Sequence, residues 1–153
     1  MKDVGEVEPA SGAADIADSA FAESASAPGT GPNRAVRGRL TPLRHARGAD
    51  GLSFDTIVAS GPNGALPHAQ PSARELALGD LVVVDFGASV DGYGGDMTRT
   101  VVVQGTVRRP DKNELYDVVL RAQDAGVAGL GDGVTAAHRS IESVVQRAER
   151  WLQ

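Results

Sequence analysis

The chain has 153 residues, enough for one domain, and its 15 basic and 20 acidic side chains give a net charge of −5. This acidic balance disfavours nucleic acid and anionic membrane surfaces as partners. The sequence has no cysteine, which excludes disulfides and thiolate zinc sites, and only three histidines, so a metal site would depend mainly on carboxylates. It has neither an apolar run long enough to span a membrane nor a secretory signal, so we expect a cytoplasmic protein.

The N-terminal segment, residues 1–44, is rich in Ala, Gly, Ser and Pro, and its few large apolar residues follow no period. Such a segment buries too little apolar surface to offset its ordering entropy. We therefore predict a disordered leader over residues 1–44 and a folded domain over residues 45–153. A weak helix around Ala13–Ala25 is the alternative, because alanine is the strongest helix former.

The middle of the chain has the pattern of β-strands joined by turns. Ser53–Ser60 is β-rich and ends at the turn-forming sequence Gly61–Gly64. Leu81–Phe86 is an apolar run rich in β-branched residues and too brief for a helix. Asp91-Gly92 is typical of a hairpin turn, and the return strand covers Gly95–Val103.

The sequence period becomes helical after Arg109. Pro110 and Asp111 are typical of a helix start, and Gly131–Gly133 breaks this helix. Thr135 caps a second helix, whose apolar residues recur with helical spacing. The fold class is therefore α+β, with antiparallel strands followed by two helices. The apolar stripe of the first helix comprises Leu115, Val118, Val119, Ala122 and Leu130.

Two aspartates on the predicted hairpin are the candidate functional residues. Asp85 interrupts an apolar strand, where burial of a lone carboxylate is costly, and Asp96 lies early on the return strand. With the turn centred on Asp91-Gly92, Asp85 lies opposite Thr98 and has Asp96 as its diagonal neighbour on the same face. A register shifted by one full residue would instead pair Asp85 directly with Asp96.

Both registers bring the two carboxylates together on a face that the flanking apolar residues predict to be covered. Two close carboxylates repel each other, so either one is protonated or a cation lies between them. A divalent metal ion suits the pair, because carboxylate oxygens are hard ligands. The alternative is two ordinary strand-end aspartates, one capping the backbone and one in solvent.

Residues 53–100 resemble the metallopeptidases of the pita-bread fold, the M24-type family that includes methionine aminopeptidases and the proline-specific Xaa-Pro aminopeptidases and dipeptidases. The proline-specific branch fits best, through the sequences FDTIVASGPNGALPHA, GDLVVVDFGA and DGYGGDMTRT. A less strict similarity continues through Tyr116–Thr135. The resemblance implies one half of a pita-bread catalytic domain.

The resemblance also implies roles for four residues. Asp85 matches the first metal-binding aspartate of the family, and Asp96 matches the second, which bridges two metal ions. His68 matches the histidine that lies beside the metal centre and helps to bind the scissile peptide, and Thr98 is a candidate neighbour of the ligands. In this family two divalent ions, Mn, Co or Zn, activate the water that attacks the carbonyl before proline.

The family's metal centre has three further ligands, a histidine and two glutamates, which we do not find in the sequence. His138, Glu142 and Glu149 do not match them and have the pattern of surface residues. The resemblance therefore implies a truncated member that hydrolyses Xaa-Pro bonds when complete and is inactive alone. Its expected partners are proline-containing peptides, together with a complementary C-terminal half or a second copy covering the exposed sheet face. A non-catalytic pita-bread-like module that binds peptides or proteins is the alternative.

Overall fold

The computed structural model of the chain describes residues 3–26, 31–103 and 110–128. The chain divides into two compact units, residues 1–106 and residues 107–153. The helices are α1 (Val4–Ser26), α2 (Asn33–Ala46) and α3 (Pro110–Ala128), and a short 3-10 helix covers Gly61–Ala65. The strands are β1 (Ile57–Ser60), β2 (Leu81–Phe86), β3 (Ser89–Val90), β4 (Tyr93–Gly94) and β5 (Met97–Val102).

The sheet of the first unit is a three-stranded antiparallel sheet with the order β1-β2-β5. β2 lies at its centre and coincides with the apolar run that the sequence predicted. Alternate β2 residues are buried, namely Val82, Val84 and Phe86, while the residues between them are half-buried. This alternation places the two sets of β2 side chains on opposite faces of the sheet.

The hairpin register is the first of the two that the sequence allowed. Asp85 pairs with Thr98, which excludes the shifted register with Asp85 opposite Asp96. Asp91 and Gly92 have positive φ angles of 50° and 80°. Positive φ at both central residues is typical of the two-residue turn whose twist matches the twist of the flanking strands. The short strands β3 and β4 flank this turn, with Val90 opposite Tyr93.

The apolar core lies on one face of the sheet, under α1 and α2. Phe86 at the end of β2 is fully buried, and its ring stacks on Phe21 of α1 with centroids 5.7 Å apart. Burial of a large aromatic side chain contributes strongly to the hydrophobic stabilisation of a small domain. The buried core cluster comprises Ala17, Leu40, Val58, Val82, Val84, Phe86 and Val103.

The prediction of a disordered leader over residues 1–44 is wrong for the part that the structure describes. Residues 4–26 and 33–46 are helical, and α2 runs through the predicted boundary between residues 44 and 45. The alternative helix around Ala13–Ala25 is confirmed, with wider bounds.

The reason for this error is the composition of α1. Ala13, Ala17 and Ala20 are fully buried and recur at helical spacing, so the buried stripe of the helix consists of methyl groups. Small side chains allow a close approach of the helix backbone, and a Cβ atom at Gly95 would lie 3.1 Å from the backbone of Ala13. Close packing of small residues thus provides the burial that was not expected from a segment with few large apolar residues.

In the second unit, α3 begins at Pro110, as the sequence predicted. Two residues of its predicted apolar stripe, Val118 and Ala122, are buried. Leu115 and Val119 belong to the same predicted stripe but are 48% and 59% exposed. The predicted stripe is therefore buried only in part.

Several predictions for the C-terminal region lie outside the described residues. These are the break at Gly131–Gly133, the second helix from Thr135, and the interpretation of His138, Glu142 and Glu149 as surface residues. Within the described ranges, no helix has both the length and the apolar character needed to cross a lipid bilayer.

Candidate metal site

Asp85 lies on the face of the sheet opposite to α1 and α2. Its neighbours Val84 and Phe86 point into the core, so its own side chain points away from the core and is half-buried. Thr98 is the cross-strand partner of Asp85 and shares its face. The Thr98 hydroxyl donates a hydrogen bond of 3.0 Å to Oδ1 of Asp85. One carboxylate oxygen of Asp85 is therefore oriented by a cross-strand neighbour.

Asp96 lies one residue before β5, in the break between β4 and β5. The return strand is thus shorter than the predicted Gly95–Val103. Asp96 precedes Thr98 by two residues, the separation at which residues of an extended chain share a face. Both Asp96 and Thr98 are exposed. The prediction that this face is covered is therefore wrong for the described residues of the first unit, because α1 and α2 cover only the other face.

Both strands of the hairpin are interrupted, at Gly87-Ala88 between β2 and β3 and at Gly95-Asp96 between β4 and β5. This break in the hairpin requires glycine at its narrowest point. A Cβ atom at Gly87 would lie 2.1 Å from the carbonyl oxygen of Gly95, closer than any real contact, so no side chain fits there. The Gly95 N–H group donates a hydrogen bond of 2.8 Å to the carbonyl of Ala88. The Ser53 hydroxyl lies 2.7 Å from the carbonyl oxygens of both Ala88 and Gly95. Ser53 thus links the two strands of the hairpin between Asp85 and Asp96.

Arg44 of α2 contacts the same break from the core side and is fully buried. Its guanidinium donates hydrogen bonds of 2.9 Å to the carbonyl of Gly87 and to the hydroxyl of Thr56, and it lies 5.9 Å from the centre of the Phe86 ring. Burial lowers the pKa of Arg44, and the positive charge of Arg37 lowers it further. The energetic cost of burying this cation is partly offset by its hydrogen bonds and its contact with the ring.

A role for Arg44 was not predicted from the sequence, because the residue lies inside the segment predicted to be disordered. Its spacing from Leu40, four residues earlier, was the available signal, since residues at this spacing share one face of a helix. An arginine on the apolar face of an amphipathic helix indicates a buried polar contact.

His68 lies in the turn after the 3-10 helix, and it is exposed. The turn follows β1, whose last residue, Ser60, pairs with Val82, three residues along β2 from Asp85. Among the residues that the structure describes, no three His, Cys, Asp or Glu side chains come together as a metal-binding group. The hairpin therefore brings Asp85 and Thr98 together, with Asp96 nearby along the strand, but His68 does not form a three-ligand cluster with the two aspartates.

The loop that carries His68 is anchored by a network of polar side chains. Arg74 donates a hydrogen bond of 2.7 Å to Oδ2 of Asp80, which also accepts a hydrogen bond of 3.0 Å from the Ala77 N–H group. Arg74 also contacts the hydroxyl of Ser60, which donates a hydrogen bond of 2.9 Å to Oδ1 of Asn33. The network ties the end of β1 to the start of β2 and to α2. Both ends of the loop are thereby fixed to buried parts of the fold.

The donor atoms of Asp85 and Asp96 suit a divalent cation. Carboxylate oxygens are the ligands that Mg²⁺, Mn²⁺ and similar ions prefer. The two aspartates are accessible, and the hydrogen bond from Thr98 orients Asp85 without neutralising its charge. The residues present therefore fit one part of a divalent-metal site.

Comparisons with known proteins cover almost the whole chain. The sequence profile of metallopeptidase family M24 matches residues 10–150. The Xaa-Pro dipeptidase of Pyrococcus horikoshii is 40% identical over 113 residues, which are 74% of this chain and 31% of that protein. The match to the family profile includes most of α1 and all of α2, which the resemblance stated from the sequence did not cover.

Solved structures show the same similarity. The Xaa-Pro dipeptidase from Bacillus anthracis aligns with 99% of this chain, with a TM-score of 0.87 and 35% identity. The X-Pro aminopeptidase from Thermotoga maritima aligns over the same share, with a TM-score of 0.86 and 31% identity. The chain covers 41% and 42% of these two proteins, so it spans well under half of their length.

Proposed function

The chain belongs to metallopeptidase family M24 and has the fold of one part of a pita-bread domain, and from this we propose that it supplies two metal-binding carboxylates of a proline-specific peptidase. The observation that supports the proposal is the hairpin register, which pairs Asp85 with Thr98, together with the exposure of Asp96 two residues before Thr98. Because similar proteins are named Xaa-Pro dipeptidase and X-Pro aminopeptidase, the proposed substrates are proline-containing peptides.

In the proposed enzyme, Asp85 and Asp96 hold two divalent ions, Mn, Co or Zn, together with ligands from elsewhere. Such ions supply a water nucleophile at neutral pH and stabilise the negative charge that develops on the peptide carbonyl. The Thr98 hydroxyl restricts rotation of the Asp85 carboxylate before any ion binds. Restriction of this kind improves metal affinity, because less side-chain freedom is lost on binding.

His68 is the proposed contact for the peptide substrate. Its exposure leaves the imidazole free to reach a ligand, and the anchored ends of its loop limit the positions that it can take. An imidazole near the metals can donate a hydrogen bond to a substrate oxygen or accept one from a substrate N–H group.

We expect the chain alone to bind divalent ions weakly and not to hydrolyse peptides. Two carboxylates provide too few ligands for a pair of ions with octahedral or tetrahedral preferences. Activity then requires the remaining ligands from a complementary C-terminal half, which would also cover the accessible face of the sheet. The absence of cysteine suits the cytoplasmic location that we propose.

Titration of the full chain with Mn²⁺ by calorimetry tests the metal site. We expect measurable binding by the wild-type chain and a loss of at least about tenfold in affinity in both Asp85→Asn and Asp96→Asn. Asp91→Asn is the matched control, because Asp91 lies at the tip of the same hairpin and asparagine tolerates its positive φ angle. Equal affinities in the wild-type chain and all three variants would contradict the proposal.

The accessible apolar residues of the sheet favour a second candidate, a non-catalytic module that binds peptides or proteins. Val102 is 36% exposed, and Leu81 and Val83 on the same face are half-buried. In this case, binding of an Ala-Pro peptide by the chain would be independent of Mn²⁺ and unchanged in Asp96→Asn. Peptide binding that requires both Mn²⁺ and Asp96 would support the peptidase instead.

A further inference from the structure

Arg44 has the largest fully buried side chain among the residues that the structure describes. A buried guanidinium commonly pairs with a carboxylate, because the cost of removing a charge from water is high. The hydrogen-bond partners of Arg44 within the described residues are all neutral, namely the carbonyl of Gly87 and the hydroxyls of Thr41 and Thr56. A guanidinium that is kept in the core with no carboxylate partner among the described residues indicates a specific structural role.

The hydrogen-bond acceptors of Arg44 indicate that its role is to fix the backbone near the break in the hairpin. Gly87 follows Asp85 by two residues and begins the break in the hairpin, and Thr56 directly precedes β1. A planar guanidinium with several fixed donors can bind two such acceptors at once in defined directions. Arg44 thus joins α2, the start of β1 and the end of β2 at one point.

The opposite strand of the break is fixed to the same point. The carbonyl oxygen of Gly95 accepts a hydrogen bond from the Ser53 hydroxyl and lies 2.1 Å from the position that a Cβ atom of Gly87 would take. Asp96 is the next residue after Gly95. A displacement of the Gly87 carbonyl therefore moves Gly95, and with it the residue that carries the second carboxylate.

We propose that Arg44 is a positioning residue that sets the separation of Asp85 and Asp96 by holding the Gly87 carbonyl at the break of the hairpin. This inference rests on the proposed function, because the separation of the two carboxylates matters only if they bind metal ions. The effect of Arg44 on the backbone at the break can be measured without any metal ion. Arg44 contacts neither carboxylate, and it acts through the two glycines.

Hydrogen exchange of the metal-free full chain tests the backbone part. In Arg44→Met, which keeps the length of the side chain but loses its donors, we expect the Gly95 amide to exchange at least about tenfold faster, while the Val84 amide in the middle of β2 changes much less. Arg37→Met is the matched control, because Arg37 lies on the same helix, pairs with the exposed Asp55 and, among the described residues, makes no hydrogen bond to the break. An equal acceleration at Gly95 and Val84 would show a general loss of stability and would overturn the proposal.

Mn²⁺ titration of the same proteins tests the functional part. We expect Arg44→Met to lower the Mn²⁺ affinity by about tenfold and Arg37→Met to leave it within about twofold of the wild-type value. Unchanged Mn²⁺ affinity in Arg44→Met would overturn the link to the carboxylates. If the wild-type chain binds no Mn²⁺, the proposed function is contradicted, and the exchange of Gly95 still decides whether Arg44 holds the break.

If Arg44→Met does not fold, a more conservative variant can be measured in its place. Arg44→Lys retains the positive charge, but its single ammonium group cannot hold both Gly87 and Thr56 in the same fixed geometry. We expect it to give the same local acceleration of Gly95 exchange, with a smaller amplitude. Wild-type exchange at Gly95 in Arg44→Lys would show that charge alone is sufficient and would overturn the positioning role.

Discussion

The two faces of the three-stranded sheet consist of alternate residues of the same strands, but they have opposite environments. On the helix-facing side, Val84 and Phe86 are 2% and 0% exposed and pack under α1 and α2. On the accessible side, Val83 and Asp85 are half-buried, and Thr98 is exposed. One face provides the hydrophobic stabilisation of the unit, whereas the other presents carboxylates and a hydroxyl group.

This difference shows how a short strand can serve packing and chemistry at once. Successive side chains of a strand point in opposite directions, so a stable core under one face fixes the backbone that positions the other. Asp85 follows Val84 and precedes Phe86, and therefore its backbone is held on both sides by buried neighbours. Substitutions on the two faces should accordingly affect different properties of the protein.

The largest expected effect is on the helix-facing side. Phe86→Ala removes a fully buried ring that stacks on Phe21 and contacts Arg44, so we expect the free energy of unfolding to fall by about 3–5 kcal/mol. Urea unfolding followed by circular dichroism measures this change. Phe86→Leu, which keeps much of the volume, is the control and should lose clearly less. A loss below about 1 kcal/mol in Phe86→Ala would mean that this face is not the core.

A neighbouring pair of valines compares the two faces directly. Val84→Ala should lower the free energy of unfolding by about 2 kcal/mol, because it leaves a small cavity between the sheet and the helices. Val83→Ala makes the same chemical change on the accessible face, where the expected loss is under about 1 kcal/mol. Equal losses in the two variants, measured by urea unfolding, would contradict the assignment of a single buried face.

The hydroxyl of Thr98 should matter more for metal binding than for stability. Thr98→Val keeps the shape of the side chain but removes the hydrogen bond to Asp85, and we expect a stability change within about 1 kcal/mol because the site is exposed. Calorimetry with Mn²⁺ should show weaker binding. Thr100→Val on the same strand and face is the matched control. Unchanged Mn²⁺ affinity in Thr98→Val would show that the hydroxyl does not orient the carboxylate for a metal.

The smallest expected effect is a pH dependence at the contact between α1 and β4. The Tyr93 hydroxyl donates a hydrogen bond of 3.0 Å to Glu6, and this bond raises the pKa of Tyr93 above its usual value, with burial adding to the increase. A raised pKa means that the folded state holds the phenol proton more tightly than the unfolded state. The contact therefore stabilises the fold below the ordinary pKa of tyrosine, and this contribution is lost as the pH rises through the folded-state pKa.

Glu6→Gln tests this contact. It replaces the carboxylate by a neutral amide, and we expect the pKa of Tyr93 to move toward its ordinary value. Ultraviolet titration of the phenols measures the shift, with Glu8→Gln on the same helix as the control. A Tyr93 titration that is the same in Glu6→Gln and in the wild-type chain would show that the hydrogen bond does not persist in solution.

The hairpin was predictable from the sequence because its signals are local. The run Leu81–Phe86 gave β2 with the correct bounds, and Asp91-Gly92 gave the turn from which the pairing of Asp85 with Thr98 followed. Turn residues and alternating apolar residues act over a few positions, so they do not depend on the rest of the fold. The position of Asp96 outside the strand was not predictable in this way, because it results from the close approach of Gly87 and Gly95.

The burial of the helical layer was not predicted, because it is a property of the tertiary structure. The stripe of Ala13, Ala17 and Ala20 has little apolar area of its own, and it becomes a packing surface only where a glycine of the hairpin allows close approach. Arg44 was missed for the same reason, since its partners Thr56 and Gly87 are distant in sequence. Counting alanine as a core residue would have revealed the buried stripe of α1.

The contacts of α1 with the hairpin also have a consequence for synthesis on the ribosome. Asp18 pairs with Arg99 across 81 residues, and Glu6 pairs with Tyr93 across 87 residues. At a translation rate of about 5–20 residues per second, α1 leaves the ribosome roughly 4–17 s before its partner strands are made. A lone helix with alanine as its buried surface is only marginally stable in water, but it also offers little apolar area for aggregation during this interval. The small side chains that allow close packing in the folded unit thus also limit aggregation of the nascent chain before the hairpin is synthesised.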